Sequence, residues 1–358
     1  MWLTVSALLV VASLEAAFQQ FGAFVPAPYR TGPIIEPDAS LGWRNASGTS
    51  QWLRRPEYMT RISINPQGRP GPEIAAAPAP DVRRIWLLGD SYAAGTNVAY
   101  ERSIASLLPM ELRDIGPAEV VNDAVIGYGL DQELLVFERG VESIGAHVSV
   151  VVFSVANDIW NVDRSLELRA PTGAKPYFEL DGNDQLRLRD TDRLAGPPED
   201  PIGKALARSA LVNVIRSGLV EPFLARGLRR EQLDVLSGPV GPWERAYRLT
   251  ERLLDRLGAA SRSAGIEVIL VLNPDPCQLY ADACRGADWL AASRVPQERL
   301  APVARQAGLR VLDLLPVFAD HYARTGERLY YQQDLHWDER GHAVAARAVA
   351  AEIRASLR

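Results

Sequence analysis

This 358-residue sequence predicts a three-layer α/β fold with a central parallel sheet of about five strands. Three observations predict it. From residue 85 onward, five short runs rich in Ile, Val and Leu alternate with segments of helix-like composition. One of these runs, 148–154 (VSVVVFS), is almost continuously β-branched, the pattern of a strand buried on both faces. The first run, 85–88 (IWLL), stops abruptly at Gly89-Asp90-Ser91. In an open parallel sheet, that turn faces the crevice beyond the carboxyl ends of the strands, where ligands bind.

Taken in order, the chain opens on an apolar stretch, 1–12 (MWLTVSALLVVA), whose character continues past Glu15 to Val25. The pure run is shorter than the roughly 20 residues of a spanning helix, and no positive region precedes it, as one would in a secretory signal. Three readings stay open: an uncleaved membrane anchor, a signal peptide with a mis-assigned start, and a buried amphipathic helix. Phe18-Gln19-Gln20-Phe21 and the Pro-rich stretch after it read as an interfacial exit and tether. They favour an anchor or signal segment over residues 1–25, with the membrane as a partner through it.

Residues 26–80 form a Pro/Gly-rich leader, expected as an extended arm or a small hairpin on the main domain and not as a second core. Within it, 58–65 (YMTRISIN) alternates polar and apolar residues, and 77–80 (APAP) resembles a stiff linker. The main domain, 81–358, is predicted to contain strands at 85–88, 119–122, 148–154, 266–272 and 310–314. Helical stretches are expected at 103–113, 132–143 and 343–357. Between the third and fourth strands lies an insertion, about 162–242. Its first part carries two alternating runs around Asp181-Gly182-Asn183-Asp184, a hairpin signal. Its second part, 202–227, has apolar residues at helical spacing. The insertion reads either as a lid over the active edge or as a segment packed on the sheet.

Composition narrows the partners. A formal net charge of -5 and the absence of any like-charge run offer no basic field for a polyanion, so nucleic acid is not an expected partner. Two cysteines, Cys277 and Cys284, lie in a Pro- and Gly-containing stretch. Two thiols with no His nearby do not fill a structural zinc site. A local disulfide is the better reading and two free thiols the alternative; a disulfide implies an oxidising compartment.

Ser91, at the end of the first strand, is the candidate nucleophile, although a serine there could equally cap the helix that follows. Serine needs a base, and the base needs an orienting acid. Of the four histidines, His336 sits in a polar loop before the last helix, with Asp334 two residues earlier. His147 precedes a strand at its amino end, the wrong side of the sheet. His321 lies in a helix-like stretch, and His342 is expected to contribute packing or hydrogen bonding. Oxyanion donors are expected at the ends of strands two and three, in the stretch 122–129, whose glycines Gly127 and Gly129 could bring backbone amides close to a ligand, and at Asn157. A loop-capping role is the plainer reading of Asn157.

Together, Gly89-Asp90-Ser91, Gly127 five residues after Asn122, Asn157-Asp158, and Asp334 with His336 resemble the four blocks of the SGNH/GDSL hydrolase superfamily, in the same order along residues 81–358. The resemblance implies a flavodoxin-like sheet, a Ser91-His336-Asp334 triad, and an oxyanion hole from the Ser91 and Gly127 amides and the Asn157 side chain. It implies no metal or organic cofactor. Two positions depart from the pattern. Val155 stands where the third block usually has Gly, and the last block is Asp-x-His followed by Trp337 instead of Asp-x-x-His. The second departure is similar to the DxHW motif of extracytoplasmic members that handle O-acetyl groups on carbohydrate. The leader, with Leu41-Gly42-Trp43-Arg44 and Asn65-Pro66-Gln67-Gly68-Arg69, is similar to a subgroup with an N-terminal membrane segment. The expected activity is therefore a serine esterase of the cell envelope acting on small acyl esters or an acylated glycan. Acyl transfer to a glycan hydroxyl is the close alternative, and a non-catalytic glycan-binding protein the distant one.

Overall fold

A computed structural model describes residues 2–21, 34–167, 175–189, 232–284, 290–291 and 293–356. Its centre is a five-stranded sheet of β5 (Arg83–Gly89), β6 (Ala118–Asn122), β7 (Val148–Ser154), β10 (Glu267–Asn273) and β11 (Arg310–Asp313). The order across the sheet is β11-β10-β7-β5-β6, and every pairing is parallel. Numbered by their place in the sheet's own sequence, the strands run 2-1-3-4-5, the flavodoxin-like order whose reversal point lies between the first and third strands. All five predicted strands are present, each within two residues of its expected ends.

Strand β7 is buried along its whole length because it is flanked by β5 and β10 and covered on both faces. Alternation along β5 shows the two layers directly. Ile85 and Leu87 face a core shared with α3 (Ile104–Glu111), α8 (Leu314–Thr325) and α9 (Glu339–Ser356). Trp86 and Leu88 face the opposite core, against α4 (Leu130–Gly140), α6 (Pro242–Ala264) and α7 (Val295–Gln306). The three-layer arrangement thus follows from period-2 burial in the strands and amphipathic helices on either side.

The leader is more ordered than an arm. It forms two antiparallel hairpins, β1 (Ile35–Asp38) with β2 (Gly42–Asn45), and β3 (Ser50–Arg54) with β4 (Met59–Ser63). Trp43 anchors the first: its Nε1 donates to the Ile126 carbonyl at 2.9 Å, and its own carbonyl accepts from the Tyr128 hydroxyl at 2.6 Å. Further on, the buried Arg84 guanidinium donates to the carbonyls of Ala75, Ala76 and Ile144 and to Glu119. These bonds tie the stretch before the Ala-Pro repeat to the sheet.

The insertion's predicted hairpin forms as β8 (Tyr177–Leu180) and β9 (Leu186–Arg189). Its helical part, 202–227, lies outside the described residues. The N-terminal apolar stretch forms α1 (Trp2–Phe21), with Leu9, Val10, Val11 and Leu14 exposed. Among the described residues no helix is long and apolar enough to cross a membrane. Cys277 and Cys284 are joined in a disulfide, both sulfurs buried.

Candidate active site

Gly89 ends β5 at φ 150°, and a Cβ there would lie 2.7 Å from the Ala93 Cβ and 3.1 Å from the Val152 carbonyl oxygen. Only glycine fits so tight a turn. Asp90 follows and caps the short helix α2 (Ser91–Ala94), its Oδ1 accepting from the Tyr92 amide at 2.9 Å. The cap is therefore Asp90, not Ser91. The serine hydroxyl is left to face the crevice, where it meets His336 Nε2 at 2.8 Å.

His336 comes from the loop between α8 and α9. On the other side of its ring, Nδ1 lies 2.6 Å from Asp334 Oδ1. The Asp-x-His spacing works because Leu335, between them, adopts φ 68°, folding the chain so that both side chains reach the same side. Tyr92 packs at a tilt against the imidazole with ring centroids 4.8 Å apart, and its hydroxyl donates to the Leu335 carbonyl at 2.9 Å. Trp337 is fully buried, and its Nε1 donates to Asn273 Oδ1 at 3.0 Å, pinning the loop to the end of β10. Asn97 Nδ2 holds the Trp337 carbonyl at 2.7 Å.

Electrostatics favour a charged Asp334 beside a basic imidazole. Burial opposes charge on His336, but the hydrogen bond and charge of Asp334, with the Asp90 charge, outweigh it and raise the imidazole above 6.5. Burial likewise opposes ionisation of Asp334, and His336, Tyr58 and Arg55 together overcome it, so the carboxyl is lowered. Asp90 is fully buried and its carboxyl is raised by that burial, although the Tyr92 amide and the Asn157 side chain act against it. His342 is buried in α9, desolvation lowers it to about 3, and its Nδ1 accepts from the Ile104 amide at 3.3 Å. It is a neutral packing residue, as expected. His147 Nδ1 accepts from the Arg84 amide at the amino edge of the sheet, far from the site in the strand direction.

A cavity of about 300 Å³ opens over these groups, lined among others by Ser91, Gly127, Asn157, Asn273, Asp275 and His336. The sequence-predicted residues thus converge on one crevice at the sheet's reversal point. Gly127 has φ 78°, and among the described residues neither its N–H nor that of Ser91 has a hydrogen-bond partner. Asn157 Nδ2 donates to Asp90 Oδ2 at 2.9 Å. An amide nitrogen carries two hydrogens, so one remains for the crevice. Val155, in place of the usual glycine, is buried in the core, and its amide donates to the Asn273 carbonyl at 3.1 Å.

Sequence reasoning missed Tyr58, whose hydroxyl donates to Asp334 Oδ2 at 3.0 Å, and Glu57, which accepts from the loop backbone. Nothing local marks either one, because their partners lie more than 270 residues away. Tyr92 and Asn273 were also missed. Their only signal was position, one residue after the serine and at the end of a strand.

A family model described as an SGNH hydrolase-like domain of acetyltransferase AlgX matches residues 243–358, the part of the chain that carries Asp334 and His336. Over those residues the chain is similar to the SGNH hydrolase-like family. No curated protein matches this chain in sequence. Among solved structures it is similar to an acetyl xylan esterase, AlAXEase, at 14% identity and a TM-score of 0.43, covering 75% of this chain and 99% of that one. A lipase/acylhydrolase from Enterococcus faecalis is similar at 17% identity and TM-score 0.38, over 76% of this chain and 96% of that one. TesA is similar at 13% identity and TM-score 0.42, over 76% and 99%.

Proposed function

We propose that this protein is an SGNH-type, serine-dependent acyl-ester enzyme of the cell envelope, acting on small acyl groups, O-acetyl among them, carried by a glycan. The observation that carries the reading is the continuous chain from Ser91 Oγ through His336 to Asp334, at 2.8 and 2.6 Å. In this reading, Ser91 Oγ attacks the acyl carbonyl as His336 Nε2 takes its proton, and Asp334 holds the imidazole by Nδ1 and stabilises its charge. The tetrahedral oxyanion sits against the Ser91 and Gly127 amides and the second Asn157 hydrogen, donors each worth roughly a hundred- to thousandfold in rate. His336 then gives its proton to the leaving alcohol oxygen, and the acyl-enzyme remains.

Water attacking that acyl-enzyme gives hydrolysis, and a saccharide hydroxyl gives transfer. Transfer is the second reading, supported by the acetyltransferase description of the matching family model. The envelope location is supported by the Cys277–Cys284 disulfide, since such bonds persist in oxidising compartments, and by the apolar N-terminal segment. Residues 1–25 serve in this reading as the anchor or signal segment.

The test is hydrolysis of a chromogenic acetyl ester by wild type, Ser91→Ala and His336→Ala. Each substitution is expected to abolish turnover, and full activity in either would refute the assignment. Labelling by an organophosphonate ester, expected in wild type and lost in Ser91→Ala, separates an enzyme from a glycan-binding protein on the same scaffold. Product analysis with and without a saccharide acceptor separates transfer from hydrolysis.

A further inference from the structure

The β3–β4 hairpin of the leader reaches across the molecule to the loop that carries Asp334 and His336. Its tip, Arg55-Pro56-Glu57-Tyr58, is closed by the Arg55 amide donating to the Tyr58 carbonyl at 2.9 Å. The Glu57 carboxylate accepts three successive backbone N–H groups, from Gln332 at 2.7 Å, Gln333 at 2.8 Å and Asp334 at 2.9 Å. Consecutive amides turned to one side form a concavity for an anion, and here a side chain of the leader fills it. Tyr58 packs at a tilt against Tyr331 with ring centroids 4.6 Å apart, and its hydroxyl donates to Asp334 Oδ2 at 3.0 Å. Arg55 Nε stands 3.8 Å from the same oxygen. The hairpin is itself held down by Thr60, buried, whose hydroxyl donates to the Val98 carbonyl at 2.9 Å.

Both oxygens of Asp334 are thereby used, Oδ1 by the imidazole and Oδ2 by the leader. A carboxylate with one oxygen free can rotate about its last torsion and offer either oxygen to the ring. Here that rotation is blocked. The loop backbone is fixed at the same time, because three of its amides are committed to Glu57.

We propose that the tip of the leader hairpin is a working part of the candidate active site, with Tyr58 a positioning residue for Asp334 and Glu57 the group that shapes the loop carrying it. The proposal rests on the triad reading above and adds to it that the leader completes the site and is not only a tether. Among the described residues, the charged and titratable groups facing the Asp334–His336 pair are Asp90 from the β5–α2 turn, Tyr92 from α2, His342 from α9, Tyr331 from the same loop, and Arg55, Glu57 and Tyr58 from the hairpin. Tyr58→Phe alters only the last of these and keeps the ring on Tyr331.

The experiment is a proton NMR titration of the His336 imidazole in the full chain, run beside the pH dependence of acetyl-ester hydrolysis, for wild type, Tyr58→Phe and Glu57→Gln. A carboxylate that has lost a donor holds the imidazolium more tightly. In Tyr58→Phe the imidazole titration and the rising limb of kcat are therefore expected to move together to higher pH, by about half a unit, with kcat at neutral pH down roughly three- to tenfold and KM unchanged. Glu57→Gln, which keeps the shape but loses the charge that gathers three amides, is expected to lower kcat roughly tenfold. An imidazole titration that stays in place in Tyr58→Phe would overturn the proposal, even with a lowered Tm, because that combination marks a brace and nothing more. An unchanged kcat in Glu57→Gln would remove Glu57 from it. The titration reads the imidazole whether or not an ester is turned over. If the Ser91→Ala test refutes the triad reading, the imidazole shift alone decides this one.

Discussion

Leu335, at φ 68°, is the residue on which the Asp-x-His spacing depends. A left-handed conformation costs a bulky residue energy and persists only where its surroundings over-determine it. Here the Tyr92 hydroxyl on its carbonyl and the Tyr331 carbonyl on its amide do so. The same residue scale sets the pH dependence. His336 is raised above 6.5 by Asp334 and, more weakly, Asp90, against the pull of burial. A base must be neutral, so kcat/KM on an acetyl ester is expected to rise with pH through a value above 6.5. Stability runs the other way: a group raised in the folded state stabilises it fully below the unfolded value, and that contribution fades as pH rises through the folded value. Tm is therefore expected to fall across the window in which activity rises, and parallel melting and kinetic profiles check both signs. In Asp334→Asn the raising partner is gone and burial dominates, so the imidazole should titrate below 6.5. The rate should drop roughly a thousand- to ten-thousandfold through loss of orientation.

Gly258 and Gly341 stand where elements meet so closely that a side chain would clash. Gly258 lies within α6, where glycine disfavours a helix. A Cβ there would stand 2.1 Å from the Ala307 carbonyl oxygen at the end of α7, so close helix packing explains the choice. Gly341, in the first turn of α9, faces the loop that carries His336. A Cβ there would lie 2.2 Å from the Leu329 carbonyl oxygen and 2.9 Å from the Trp337 Cβ. Alanine at either site is expected to destabilise by about 1–3 kcal/mol, read by chemical denaturation. The two should differ in activity. Gly258→Ala strains a helix pair away from the crevice, whereas Gly341→Ala pushes on the loop and is expected to lower kcat as well. Trp337 sits between these scales. The sequence marks it only as the letter after the histidine, but the structure makes it the anchor of the loop on β10, and Trp337→Phe should weaken that anchor by about 1–3 kcal/mol because Asn273 loses a buried donor.

For the whole molecule, the site forms where the strand order reverses, and three of its corners hang from the carboxyl ends of β5, β6 and β7. The fourth comes from the loop before the last helix, so the site closes only when α9 docks. The disulfide closes a short loop directly after β10, and Pro274 and Asp275 of that stretch line the crevice. By chain entropy, closing so short a loop contributes roughly 2–3 kcal/mol. Cys277→Ser with Cys284→Ser is expected to lower Tm by several degrees, measured by calorimetry against oxidised wild type, with reduced wild type falling to the same value.

Much of this was open to reading along the chain, and for a physical reason. Strand burial has period two and helix burial has period 3.6, so the apolar runs alone determined five strands, their parallel layering and the amphipathic helices. The Gly89-Asp90-Ser91, Gly127, Asn157 and Asp334-x-His336 signatures are local because a turn at a strand end needs particular residues in sequence. What the sequence left undecided concerns partners distant along the chain. Ser91 and Asp90 are neighbours, either able to cap α2, and only the Tyr92 amide on Asp90 decided between them. The leader's role was invisible for the same reason. Arg55, Glu57 and Tyr58 carry no motif, and their meaning lies in contacts with a loop 276 residues away in the case of Tyr58 and Asp334. Local pattern determined which positions form the candidate site. Only packing decided which groups hold those residues in place.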